Sequence, residues 1–317
     1  MRYMGNSYNR KKIFIITLII FCGWMPYFIC NYPGSVCNDA RDQLAQILKQ
    51  QHYSNHNPIV DTVIYGIFFK LGRIIGGSDN SGIASIVLLQ FFLLAMSFGI
   101  SGYIGYKFTK SRLFVIFTVM FYVFTPLFGG GAQCVLKDTL HTSFFVMWAC
   151  CSLMLTERMT DSKLAVFCIL SAVVAYTRSM ANAYVFPALI AWGYKIVKYD
   201  SKRRRIIMVL LTVILILAFE PFINVFFEVE KYPSREKYAL PLQQIGYVVS
   251  NNELSDEEYK MVSEVIPVDV IKQEYNPNLA DPLKNCISDE SQKRIPKIYG
   301  SSGVMVGENH PHPQYLC

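Results

Sequence analysis

The stretch Ile83–Tyr106, IASIVLLQFFLLAMSFGISGYIGY, runs for 24 residues without one Asp, Glu, Lys or Arg. A helix of roughly 20 mainly apolar residues crosses the hydrocarbon core of a bilayer, so this run reads as a membrane span. Outward from it, comparable runs occupy Ile13–Cys30, Leu113–Phe128, Thr139–Leu155, Leu164–Thr177, Ala183–Val197 and Ile206–Phe227, which makes seven expected spans. The fifth and sixth are short and meet at Arg178-Ser179-Met180-Ala181-Asn182, so a tight helical hairpin is expected there. An eighth run, Ile59–Ile75, is interrupted by Asp61, Lys70 and Arg73. Three charges at the bilayer centre are costly, so this segment is expected at the interface or only partway in.

The whole chain agrees with that reading. Of 317 residues, 52% are apolar and 17% charged, with a mean hydropathy of +0.29; soluble domains carry about 25% charge. This excludes a disordered chain, a coiled coil and a nucleic-acid binder driven by charge. With the N-terminus cytoplasmic, the inner connections hold fifteen Lys and Arg and the outer ones, before the tail, six. Basic residues favour the inner side, so the net charge of +7 is mostly a topology signal. The first span has no small-x-small cleavage site after it and reads as a retained anchor rather than a signal peptide.

The expected fold is an all-α polytopic membrane protein. Residues 1–227 form the transmembrane domain and residues 228–317 a mostly helical extracytoplasmic lobe. Eight of the 14 prolines and fourteen of the 23 acidic residues fall in that lobe. Ser255-Asp256-Glu257-Glu258 predicts a capping box, followed by an amphipathic helix with Met261, Val262, Val265 and Ile266 on its apolar face. A second helix is predicted across Leu242, Ile245 and Val249. From Ser301 onward the pattern is lost and the end is expected to fray.

Polar residues gather on the expected outer side. Pro33-Gly34 predicts a turn and Asn38 or Asp39 a helix cap. In the helix that follows, Asp39, Asp42, Gln43 and Gln46 share one face and Leu44, Ile47 and Leu48 another, so it is expected on the membrane surface. Its acidic face is a candidate general base, and a merely solvated face is the alternative. His52 and His56 fall short of a metal set, so no metal site is assigned, although a divalent cation is left open. Lys137-Asp138-Thr139-Leu140-His141 opens the fourth span. A cation at a helix N-terminus is disfavoured by the dipole, which points to an anionic ligand such as a phosphate at the free backbone donors. The alternative is a local Lys137–Asp138 balance. Arg178 is the sole basic residue of the outer hairpin. Glu220, before Pro221 in the last span, invites a basic partner, Arg178 or Lys137, or else ties helices together as a buried acid. Acids beside bases at the bilayer edge suit a lipid-phosphate substrate. Nine cysteines are present. Cys37, Cys134 and Cys286 lie outside and could pair, but no spacing fixes a framework. CxxC, HExxH and Gly-rich phosphate loops are absent from the sequence.

Tyr32-Pro33-Gly34 with Asn38-Asp39 and Gln43, His56-Asn57-Pro58, Lys137-Asp138, Arg178 with Asn182, Leu240-Pro241-Leu242-Gln243-Gln244-Ile245, Tyr275-Asn276-Pro277 and Asp281-Pro282-Leu283-Lys284 resemble a family of uncharacterised bacterial polytopic membrane proteins. That family is similar to the GT-C superfamily of glycosyltransferases. The resemblance implies a GT-C-like bundle in the bacterial plasma membrane that transfers a sugar from a polyprenyl-phosphate donor to a cell-surface glycan or lipid acceptor. It implies Asp39, with Asp42, as catalytic acids, Asp39 being the general base. Lys137, Arg178 and His141 would hold the donor phosphate, with His56, Asp138 and Glu220 in support. Family members show consecutive histidines where this chain has His56-Asn57, and they continue into further spans after the outer lobe, so the chain is expected to be a truncated member. Two other readings stand beside this one: a transporter or lipid flippase, which calls for charges deep in several spans, and an inactive scaffold.

Overall fold

The computed structural model describes residues 2–200, 202–230 and 238–295; the expected frayed end from Ser301 lies outside them. The chain divides into two units, Met1–Lys231 and Tyr232–Cys317.

In the first unit, helices α1 (Arg2–Cys30), α2 (Asn38–Ile47), α3 (Ile59–Gly76) and α4 (Asp79–Thr109) come first. They are followed by α5 (Arg112–Phe124), α6 (Pro126–Ala132), α7 (Lys137–Glu157), α8 (Asp161–Tyr176), α9 (Asn182–Tyr199) and α10 (Arg203–Phe226). Two two-residue strands, β1 (Ser35–Val36) and β2 (Cys134–Val135), pair in parallel, Ser35 with Cys134 and Val36 with Val135.

Among the described residues, four helices are long and apolar enough to cross a membrane: α1 from Arg10, α4, α7 and α10. A fifth candidate is the pair α5 and α6, bent by 52°. The bend falls inside the run Leu113–Phe128. Pro126 has no N–H to continue the ladder and holds Thr125 in an extended conformation, at φ −76° and ψ 114°. The expected fifth and sixth spans are helices α8 and α9, but α8, at 16 residues, is too short and α9, at 18, not apolar enough to meet the same test. Among the described residues the chain is helical apart from its short strand pair and connecting loops, with apolar helices suited to a membrane.

Lipid tails are as apolar as leucine, so close packing and hydrogen bonds hold such helices together. Trp24 of α1 is fully buried, stands edge-on to Phe91 and Phe98 of α4, and donates its Nε1–H to the Tyr122 carbonyl at 2.9 Å. The α1–α4 approach depends on Gly99, where a Cβ would stand 3.1 Å from the Thr17 backbone nitrogen. The α3–α4 hairpin turns at Gly77, whose φ of +69° suits glycine. A second core joins α7 to α10, with Trp148 donating to Ser171 Oγ at 2.8 Å. At the far end of this bundle Arg205, counted above as a topology charge, is buried between Asp161 and Asp200, both at 2.6 Å.

Helix α2 differs from expectation. Its buried residues are Ala40, Gln43, Gln46 and Ile47, so the two glutamines leave the acidic face and pack inward, Gln43 donating to Thr62 Oγ1 of α3 at 3.1 Å. Its N-cap is Cys37, whose side chain does not cap the helix, rather than Asn38 or Asp39. The Pro33-Gly34 turn forms, with the Gly34 N–H donating to Asn31 O at 2.6 Å.

The second unit holds α11 (Ala239–Asn251), α12 (Asp256–Ser263), α13 (Val268–Glu274), α14 (Asp281–Asn285) and α15 (Asp289–Gln292). The capping box is present: Ser255 Oγ accepts from Glu258 N at 3.3 Å and the Ser255 N–H donates to Glu258 Oε2 at 2.9 Å. Leu242, Ile245 and Val249 meet Val262, Ile266, Ile271 and Leu283 in one core.

Candidate functional site

The β1–β2 pair fixes the site because it ties the loop after α1 to the segment before α7. Asp39 follows β1 on the first turn of α2, and Lys137 opens α7 directly after β2. Their side chains meet: Lys137 Nζ lies 2.7 Å from Asp39 Oδ2, and His56 Nε2 lies 3.6 Å from Oδ1. Lys137 also donates to Asn57 Oδ1 at 2.7 Å, and Asn57 donates back to the Asp39 carbonyl at 3.3 Å. Asn57 is fully buried and Asp39 40% exposed. Burial pushes the Asp39 carboxyl up, but the hydrogen bond and charge of Lys137 and the nearby His56 outweigh it and hold the group below the usual carboxylate range.

Asp138 pairs with Arg178 in an exposed ion pair. Both cations assigned to the donor phosphate therefore carry intramolecular carboxylate partners. His141 is buried one turn into α7, where Nδ1 meets Thr177 Oγ1 at 2.8 Å and Nε2 meets the Tyr184 hydroxyl at 2.7 Å. Both ring nitrogens are engaged, which makes it a tie between helices α7 and α9. Asp42, three residues after Asp39 on α2, forms no ion pair with a described residue.

His56 and Asn57 also line a cleft of about 640 Å³, measured out to open solvent, together with Tyr176, Asn182, Glu220 and Asn224. Tyr176 and Phe219 stack with centroids 4.0 Å apart, and the Tyr176 hydroxyl donates to the Leu215 carbonyl at 2.8 Å. Asn182 Oδ1 is buried without a hydrogen-bond partner. Glu220 is exposed in the cleft wall, not buried, and has no ion pair to a described residue; Lys137 and Arg178 pair with Asp39 and Asp138 instead.

Sequence reasoning treated Asp61 only as a penalty. It is fully buried on the first turn of α3, both carboxylate oxygens lack a hydrogen-bond partner, and the charge of Lys137 acts to balance it. Burial pushes its carboxyl well up. The sequence held one signal: Asp61 is the acidic residue of the first turn after Pro58, where a carboxylate suits the helix dipole. Tyr65, one further turn on, donates to the Leu136 carbonyl at 2.7 Å and so anchors the start of α7. Among the described residues no three His, Cys, Asp or Glu side chains converge to hold a metal ion.

The fold and site together define a helical protein with several membrane-suited helices and a charged, amide-rich cleft where helix ends meet. Residues 49–294 match the family described as "Family of unknown function (DUF6020)", and the chain belongs to that family. No curated protein and no solved structure matches it.

Proposed function

We propose that the chain is a GT-C-like membrane glycosyltransferase that moves a sugar from a polyprenyl-phosphate donor to a cell-surface glycan or lipid acceptor. The observation that carries this reading is the Asp39 carboxylate, held ionised beside Lys137 and joined through His56 and Asn57 to a cleft that these two residues line with Asn182, Asn224, Glu220 and a Tyr176–Phe219 stack. Amides, a carboxylate and aromatic rings are the groups that bind sugar hydroxyls and sugar faces. In this reading all seven runs cross the bacterial plasma membrane from a cytoplasmic N-terminus, and the second unit lies outside. The succession of helix ends supports it: the starts of α7 and α9 and the ends of α8 and α10 all contribute to one locality.

The acceptor hydroxyl gives its proton to Asp39 as its oxygen bonds to the anomeric carbon, and the bond from that carbon to the phosphate oxygen breaks. The lipid phosphate leaves with the electron pair. As Asp39 takes the proton, its hold on Lys137 weakens, and Lys137 turns to the charge growing on the phosphate, with Arg178 beside it. Asp42 remains a supporting acid, His141 positions α7 against α9, and Asp138 holds Arg178 in place.

Membranes containing the chain, supplied with a labelled polyprenyl-phosphate sugar, are expected to release lipid phosphate and label an acceptor. Movement of the intact donor between leaflets without cleavage would favour a flippase instead.

A further inference from the structure

One carboxylate at the cleft has no cationic partner among the described residues. Asp39 faces Lys137 and Asp138 faces Arg178, so those charges balance within the chain. Glu220 lines the cleft, is exposed, and has no ion pair with a described residue. It lies on α10 one turn before Asn224, which lines the cleft too, so carboxylate and amide share one face of the helix. Phe219, the residue before Glu220, stacks on Tyr176 of α8, and the Tyr176 hydroxyl donates to the Leu215 carbonyl. These contacts fix α8 to α10 along the wall that carries Glu220. Asn182, at the start of α9, lines the same cleft, and its Oδ1 is buried with no donor reaching it.

We infer that the cleft takes a ligand bearing a primary ammonium, which binds the Glu220 carboxylate, with Asn182 Oδ1 accepting a hydrogen bond from the same ligand. A carboxylate and a buried carbonyl oxygen are both acceptors, and leaving a buried acceptor unpaired is costly. An ammonium brings three donors, no acceptor and the missing positive charge. A hydroxyl can serve Asn182 but leaves Glu220 without a counter-charge, and an anionic group meets repulsion there. This deepens the glycosyltransferase reading and rests on its placing the substrate in this cleft. Lys137 and Arg178 then take the anionic part of the substrates and Glu220 the cationic part. The ammonium belongs either to an amino sugar or to the aminoalcohol headgroup of a lipid acceptor.

The test measures binding to the full chain in detergent, with affinities read by ligand-observed NMR titration. Glucosamine is compared with glucose, and O-phosphoethanolamine with 2-hydroxyethyl phosphate, so that each pair differs only in an ammonium for a hydroxyl. At least one amine is expected to bind about tenfold tighter than its hydroxyl counterpart, the scale of one charge-assisted hydrogen bond. Preference within the first pair identifies an amino sugar, and within the second a lipid headgroup. Glu220→Gln should remove the preference, and because Glu220 is exposed the variant is expected to unfold at the wild-type temperature. Equal affinities within both pairs for the wild type, or a preference that persists in Glu220→Gln, overturns the inference. Binding is read without turnover, so a chain that prefers the amine but transfers no sugar counts against the glycosyltransferase reading alone.

Discussion

Lys137 Nζ lies 2.7 Å from the carboxylate of Asp39, although the two residues are 98 positions apart in the chain. The same ammonium bonds Asn57 Oδ1 at 2.7 Å, so one cation joins the starts of helices α2 and α7 to the loop before α3. A lysine at a helix N-terminus opposes the helix dipole, and these partners offset that disadvantage.

Replacing Lys137 by Met leaves the Asp39 carboxylate and the Asn57 carbonyl without their donor. The expected loss of stability is about 1 to 2 kcal/mol, toward the lower figure because Asp39 is 40% exposed. Thermal unfolding in detergent checks it, and a double-mutant cycle with Asp39→Asn should give less than the sum of the two single losses. Strict additivity would mean that the pair carries no coupling.

The two buried-side carboxylates should oppose one another in pH dependence. Asp39 is held below its ordinary value, so its contribution is complete above roughly pH 4 and is lost as pH falls through its folded value. Asp61 is pushed well above, by burial first and also by Asp138, with Lys137 acting against them. Above roughly pH 4 the unfolded chain releases that proton while the folded chain keeps it, so stability falls as pH rises toward the folded value. Unfolding curves for Asp61→Asn should therefore gain on wild type as pH increases from 4. A difference that stays flat with pH would show that Asp61 does not titrate in this way.

Arg178 and Asp138 are each about half exposed, and such pairs contribute roughly 0 to 1 kcal/mol. Arg178→Ala should then change the unfolding temperature little. It should raise the KM for the polyprenyl-phosphate donor about tenfold, the loss of one charge-assisted contact. Equal KM values in Arg178→Ala and wild type would remove Arg178 from donor binding.

Cysteines placed singly between Glu253 and Asn278 should react with an impermeant maleimide added outside intact cells. Labelling only after lysis would place this unit in the cytoplasm, and the outer-face reading would fail with it.

Much of the helical layout was legible because its signals are local. The charge-free run Ile83–Tyr106 lies within helix α4, and Ser255 with Glu258 announces the start of α12. The broken helix at Thr125–Pro126 was carried by a proline that the apolar run conceals. Periodicity placed Gln43 and Gln46 beside Asp39, but it could not show which face packs; their amides turn inward because Thr62 and Ser54 supply partners. Residue type and placement singled out Asp39, Lys137, Asp138 and Arg178. Pairing was not legible, because the Asp39–Lys137 contact depends on segments that the β1–β2 bridge brings together and the Asp138–Arg178 contact on the connection between α8 and α9. Asp61 was missed because a charge in an apolar run reads as a cost until its neighbours are known. His141 reads from the sequence as a phosphate ligand near a helix start, yet Thr177 and Tyr184 from two other segments close on its ring.

The most direct measurement compares sugar transfer by wild type and Asp39→Asn in membranes at equal protein level, with a labelled polyprenyl-phosphate donor. If Asp39 removes the acceptor proton, the amide variant should lose about 100-fold or more in rate while its donor KM changes little. Transfer by Asp39→Asn at the wild-type rate would contradict the account.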